Sequence, residues 1–195
     1  MTVIETDRIE MAESDNEVTL DAMFEWLEGM PIPGCKTEIV GGHIFMTPQR
    51  QVHFEIILDL IEQLRTKYPR KRMASDVRID FPGHLNGFAC DVVALKDGAA
   101  RDDKGHWHYE DIEFVAEVIS RGTADNDYGP KKAAFAAAGV PAYLIVDPYT
   151  GKWHLYTLPK EGEYHCTLSL GFGDPIDLTQ TPVGLTLTTD EFPRD

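Results

Sequence analysis

Two carboxylates stand inside runs of apolar residues. In Phe114-Val115-Ala116-Glu117-Val118-Ile119, five apolar residues surround Glu117. On the two-residue period of a strand, Glu117 shares its face with Val115 and Ile119. In Ala89-Cys90-Asp91-Val92-Val93-Ala94-Leu95, Asp91 likewise falls on one face with Val93 and Leu95. A buried carboxylate without a partner costs several kcal/mol or takes up a proton, so it calls for a cation, a metal or hydrogen-bond donors. Neighbouring strands lie about 4.8 Å apart, close enough for both side chains to reach one divalent cation. An oxygen-only donor set favours Mg2+ or Mn2+ over Zn2+. The plainer reading puts each carboxylate at a strand end, solvated or capping a turn, and spacing alone leaves both open.

Lys131 is the third residue of interest. Asp127 lies four positions before it, the favourable order for a surface ion pair of about 0.2–0.5 kcal/mol. Lys131 also shares a helix face with Phe135, and if Phe135 faces a sheet, the lysine leans toward the carboxylates. Other signals are weaker. His106-Trp107-His108 has alternating imidazoles but lies in a Gly- and Asp-rich stretch that reads as a wet loop. His53 falls off the main apolar stripe of its helix, and Glu38 lies in a hairpin where edge solvation is the default. There is no Gly-rich phosphate loop, GxSxG elbow, HExxH or Cys/His pairing, so P-loop nucleotide hydrolysis and serine hydrolysis are unsupported.

The elements that must position these groups are readable from periodicity. Met23, Phe24, Trp26, Leu27 and Met30 fit one face of a helix over 19–30, with Pro31 and Pro33-Gly34 as stop signals. Thr37–Val40 and His43–Met46 flank Gly41-Gly42, a hairpin signal. Gln51–Tyr68 is the clearest helix, with Ile56, Ile57, Leu60, Ile61 and Leu64 at spacings of three and four. Short strands are predicted at Lys71–Ile79, Ala89–Leu95 and Ile112–Ser120. A helix over Asp127–Gly139 follows, with Pro130 in its first turn and Gly139 with Pro141 as its stop. The strand Ala142–Val146 comes next, then a hairpin of Lys152–Leu158 with Tyr164–Leu170, and a last strand at Gly184–Thr188. This order predicts a mixed α/β fold with one core sheet.

Composition bounds the reading. At 195 residues, 43% hydrophobic and 26% charged, the chain suits one globular domain, read here as 19–195 behind an acidic flexible arm over 1–18. No apolar run approaches the ~18–20 residues of a membrane span. The first residues lack the basic and apolar regions of a signal peptide, so a cytoplasmic protein is the expectation. Three scattered cysteines, Cys35, Cys90 and Cys166, form neither a disulfide framework nor a CxxC site. The net charge of −15 argues against nonspecific nucleic-acid binding. It is unevenly spread, however: residues 1–29 carry nine acids and one base. Arg65, Lys67, Arg70, Lys71, Arg72 and Arg78 form a basic stretch interrupted only by Asp76.

Several segments resemble, in kind and order, the Uma family of bacterial restriction-endonuclease-like proteins in the PD-(D/E)XK nuclease superfamily. They are Glu38-Ile39-Val40-Gly41-Gly42, His53 on the next helix, Asp91-Val92-Val93, Glu117-Val118-Ile119-Ser120, Asp127 with Lys131, and Gly139-Val140-Pro141 leading to Ile145-Val146-Asp147-Pro148. The resemblance spans about residues 20–190 and is most specific from Glu117 to Pro148. It implies a mixed central β-sheet flanked by helices, with extra β-hairpins. It also implies a Mg2+- or Mn2+-dependent endonuclease acting on DNA. By resemblance, Asp91 and Glu117 hold the metal, Glu38 is an auxiliary ligand, and Lys131 replaces the lysine often found two residues after the Glu, where this chain has Ile119. Two positions depart from the pattern: Cys90 stands where the Pro of the PD pair is expected, and Arg121 where a Pro often follows the Ser.

On that reading the basic stretch Arg65, Lys67, Arg70, Lys71 and Arg72 grips the phosphodiester backbone. Cleavage of both strands by one site per chain would call for a symmetric homodimer. Two readings compete with it: the fold kept as an inactive scaffold for nucleic acid or protein, and a small-molecule hydrolase with the same carboxylate pair.

Overall fold

The computed structural model describes residues 18–29, 34–48 and 50–195. The chain divides into two units, Met1–Pro31 and Ile32–Asp195. In the first, helix α1 (Leu20–Glu28) begins where the Thr19 hydroxyl accepts a hydrogen bond from the Ala22 N–H at 3.2 Å, capping an otherwise unpaired donor. The expected acidic arm lies, Val18 apart, outside the described residues, as do the stop signals Pro31 and Pro33.

The second unit opens with a hairpin, β1 (Cys35–Val40) and β2 (His43–Pro48). Gly41 and Gly42 turn it with φ of +58° and +80°, the left-handed pair that matches strand twist in a two-residue turn. Helix α2 (Gln51–Leu64) buries Ile56, Ile57, Leu60 and Leu64 on one face. The chain then lays down β3 (Met73–Ala74), β4 (Arg78–Phe81), β5 (Asn86–Ala89), β6 (Val92–Leu95) and β7 (Ile112–Val118). A helical segment follows: α3 (Ala124–Asn126), a π turn (Asp127–Lys131) and α4 (Lys132–Ala137). It leads to β8 (Ala142–Asp147), β9 (Lys152–Lys160), β10 (Glu163–Gly171), β11 (Ile176–Asp177) and β12 (Thr186–Leu187).

The central sheet has six strands in the order β10-β9-β8-β7-β6-β3. Strands β7 and β8 pair in parallel across the α3–α4 crossover, and the other neighbours are antiparallel. Phe114, Ala116 and Val118 of β7 pack with α2 on one face. Val115 and the neighbouring Val93, Tyr143 and Ile145 pack with Phe135 of α4 on the other. That second face is also covered by a four-stranded sheet, β2-β1-β5-β4, through Val40, Ile79, Phe81 and Phe88. Each such side chain, fully buried, contributes about 1.5–3 kcal/mol. The fold is therefore mixed α/β, with a mixed central sheet flanked by helices. Among the described residues, no helix is long and apolar enough to cross a membrane.

Four details differ from the sequence reading. Among the described residues, the central six-stranded sheet is joined by two further sheets, of four and two strands. The expected strand Lys71–Ile79 is broken: Arg70–Arg72 form a 3-10 turn, and Asp76, with φ of +50°, sends the chain from β3 in one sheet to β4 in another. The expected strand Ala89–Leu95 splits at Cys90-Asp91, because β5 pairs with β4 and β1 whereas β6 pairs with β7 and β3. The last helix starts at Ala124, so Pro130 sits inside it, within the π turn, and not in its first turn.

Candidate active site

Four acidic and two basic side chains meet where the two larger sheets adjoin. Glu38 comes from β1, Asp91 from the β5–β6 junction, Glu117 from β7, and Asp127 from the π turn; all four are buried. Strands β6 and β7 are neighbours, with Val92 opposite Ala116, which brings Asp91 and Glu117 to the same place. Backbone amides fix the acids. Asp91 Oδ2 accepts from the Val118 N–H at 2.7 Å, Glu38 Oε1 from Ala89 at 3.0 Å, and Glu117 Oε2 from Asp91 at 3.4 Å.

Two ammonium groups fill the space between them. Lys131 Nζ is 3.0 Å from Glu38 Oε1, 2.6 Å from Glu117 Oε1 and 3.0 Å from Asp127 Oδ1. Its side chain is 1% exposed, and it stands behind the carboxylates. Lys36 Nζ is 2.7 Å from Asp91 Oδ1, 3.3 Å from Glu117 Oε2 and 3.8 Å from Glu38 Oε2. A shallow cleft with room for about a single water lies over this cluster. Lys36, Glu38, Asp91, Glu117 and Asp127 form part of its lining, with Thr47, His53, Ser120 and Thr123 around them.

Charge in this cluster is unbalanced. Four carboxylates face two ammonium groups, leaving two negative charges uncompensated when all are ionised. Burial alone would depress both lysines, but the surrounding carboxylates outweigh it and hold Lys36 and Lys131 well above the ordinary lysine range. Asp127 is shifted too, chiefly by burial. Burial pushes its carboxyl up to about 7; Lys131 opposes the shift, whereas Glu117 and Glu38 add to it. Burial also raises the Cys90 thiol, which stays protonated and is no nucleophile.

The residues singled out from sequence fall as follows. Asp91, Glu117, Glu38 and Lys131 come together, and Glu117 does share its face with Val115 and Ile119. His53 is buried at the start of α2, donating from Nε2 to the Ile119 carbonyl at 2.8 Å, and its ring edges the cleft. His106 and His108 lie in a loop where Arg101 stacks on Trp107. The basic stretch is divided in use. Lys67 donates to the Pro182 and Val183 carbonyls, and Arg72 to the Leu95 carbonyl and Glu113. Arg65, Arg70 and Lys71 are exposed.

Sequence reasoning missed Lys36. Its signal was present, since Lys36 and Glu38 are two apart on one strand and therefore share a face. Any argument that turned Glu38 inward turned Lys36 inward too.

Comparison with known proteins bears on the family and the fold. No curated protein matches the chain. The crystal structure of "a putative nuclease belonging to DUF820" from Anabaena variabilis ATCC 29413 superposes with a TM-score of 0.69 at 14% identity. The match covers 90% of this chain and 97% of that one, a likeness of fold. The Uma2 family, described as "Putative restriction endonuclease", matches residues 23–190, a span that takes in every strand and every charged group of the cleft. A match over that much of the chain leaves one assignment: this protein is a member of the Uma2 family.

Proposed function

We propose that the protein is a metal-dependent endonuclease that hydrolyses phosphodiester bonds of nucleic acid, with DNA as the substrate. One observation carries this reading: three carboxylates from three separate strand segments converge on a single cation at the floor of an open cleft. Three acids turned onto one point need positive charge there.

The donors suit a hard divalent ion. Glu38, Asp91 and Glu117 offer only carboxylate oxygens, which favours Mg2+ or Mn2+. The ammonium of Lys36 stands in for such a cation. Among the described residues, no three His, Cys, Asp or Glu side chains are already spaced as a metal cage. When bound, the metal would lower the pKa of a coordinated water and stabilise charge on the phosphoryl oxygens.

The chain's own groups do the positioning. The amides of Ala89 and Val118 hold one oxygen each of Glu38 and Asp91 and leave the other toward Lys36 and the cleft, whereas Glu117 is held from behind by Lys131 and its Oε2 takes both the Asp91 amide and Lys36. Lys131 holds Glu38 and Glu117 from behind and acts on substrate through them, as a positioning residue. Arg65, Arg70 and Lys71 lie beyond the far end of α2. Twelve residues at a 1.5 Å rise separate His53 from Arg65, roughly 18 Å. They would meet the duplex some five base pairs from the cleft and contribute phosphate contacts there. Two sites for two strands would come from a homodimer.

A second reading has its own observation. The lysines already neutralise part of the acid charge, as in a nuclease fold retained as a scaffold. Calorimetric titration of Mn2+ into the wild type and Asp91→Ala separates the two. One ion bound by the wild type and lost in the variant, with Mg2+-dependent nicking of a supercoiled plasmid that is lost alongside, is the expected result. No binding in the wild type, together with no nicking, would leave the scaffold reading.

A further inference from the structure

Each carboxylate around Lys36 has one oxygen committed elsewhere and one turned to this lysine. Asp91 Oδ2 takes the Val118 amide while Oδ1 takes Lys36. Glu38 Oε1 takes Ala89 and Lys131 while Oε2 faces Lys36 at 3.8 Å. Glu117 Oε1 meets Lys131 while Oε2 meets Lys36. The ammonium of Lys36 therefore covers the oxygens that a metal would need. A divalent ion binds such oxygens at about 2.0–2.6 Å. An ammonium contacting the same oxygens would lie within a few ångströms of that ion, and like charges at that range in a buried site repel strongly.

The two lysines are not equally able to leave. Lys131 is fully enclosed on a helical turn, with three carboxylate contacts at 2.6 to 3.0 Å. Lys36 is the second residue of β1 and lines the cleft, with one short contact and two longer ones on a four-carbon stem. We propose that Lys36 is a tethered counter-cation: it holds Glu38, Asp91 and Glu117 in the metal-free protein, and a divalent ion binds by exchanging with it. The inference rests on the metal-binding reading above and adds a regulator to it. Metal entry breaks three ion contacts, which sets a threshold concentration below which the site stays closed by lysine.

The test measures metal affinity and lysine accessibility, neither of which needs a substrate. Mn2+ is titrated by calorimetry into the wild type, Lys36→Met and Lys36→Arg. In parallel, reductive methylation of the wild type followed by mass spectrometry reads the accessibility of Lys36 with and without saturating Mn2+. The expected result is about 10- to 100-fold tighter binding in Lys36→Met, no tightening in Lys36→Arg, and a Lys36 that is protected without metal and methylated with it. Wild-type binding with Lys36→Met no tighter overturns the exchange and leaves the metal site standing. Failure of both proteins to bind Mn2+ overturns the metal reading and the exchange with it. Should Lys36→Met not fold, methylation decides: a Lys36 equally protected with and without bound Mn2+ refutes the exchange.

Discussion

Lys131 is held by Glu38, Glu117 and Asp127 and is almost wholly out of water. Removing its charge without replacement leaves three carboxylates facing one another in a buried pocket. Breaking a buried ion network in this way costs about 3–5 kcal/mol. Lys131→Met should therefore lose that much in urea unfolding of the metal-free protein; a loss below about 1 kcal/mol would show that the carboxylates do not depend on it. Asp127 makes a second, pH-dependent prediction. Its folded-state pKa, about 7, lies above the unfolded value near 3.8, so the folded state binds its proton more tightly. The contribution of Asp127 to stability is thus complete below pH ~4 and lost as pH rises to about 7. Asp127→Asn should gain on the wild type across that window, seen as a flatter curve of melting temperature against pH in chelator; parallel curves would refute it. Asp91 and Glu117 were legible because a charge inside an apolar strand is conspicuous. Lys36 was not, because a lysine near the start of a hairpin strand reads as a solvated edge charge until its neighbour Glu38 is known to point inward.

The hairpin β1–β2 delivers two of the six charged groups, so its turn matters beyond its own stability. Gly42 has a left-handed φ, a Cβ added to it would lie 3.3 Å from Leu85 Cδ1, and its N–H donates to the Leu85 carbonyl at 3.2 Å. Gly42→Val strains the backbone and crowds Leu85, for an expected loss of about 1–3 kcal/mol in thermal or urea unfolding. An unchanged midpoint would mean that the turn does not anchor β1. This hairpin was readable from Gly-Gly between two apolar runs. The break between β5 and β6 was not. Residues 88–95 form one nearly continuous apolar run, and the split at Asp91 is imposed by pairing with two different sheets. Tertiary pairing, not local propensity, puts Asp91 at the seam.

At the scale of the whole molecule, the proposed function requires a chain of net charge −15 to bring polyanionic substrate to an acidic cleft. Arg65, Arg70 and Lys71 are the exposed cations of the basic stretch whose side chains bind no other group among the described residues. Three phosphate contacts correspond to a slope of about −3 in log affinity against log salt. Replacing all three with Ala should flatten that slope and weaken DNA binding, while Mn2+ affinity stays as in the wild type. A slope unaffected by the triple change would place the nucleic-acid face elsewhere. The central sheet and its two flanking helices were foreseeable from the order of periodic segments. The second sheet was not, since its strands come from hairpins far apart in sequence.

The π turn at Asp127–Lys131 has a consequence for how this chain can vary in length. A π turn accommodates one residue more than the α-helical turn it interrupts. Here that extra residue lies between the helix start and the lysine that organises the site. Deleting one residue between Asp127 and Lys131 would close the turn into ordinary helix and bring the pair from four apart to three, still neighbours on one face. Pro130, if kept, would then sit in an α-helical interior that rejects it. Adding a residue would turn the segment before it by about 100° relative to Lys131. A stretch of five residues that supplies none of the three proposed metal ligands is therefore more sensitive to a change of length than a loop of the same size.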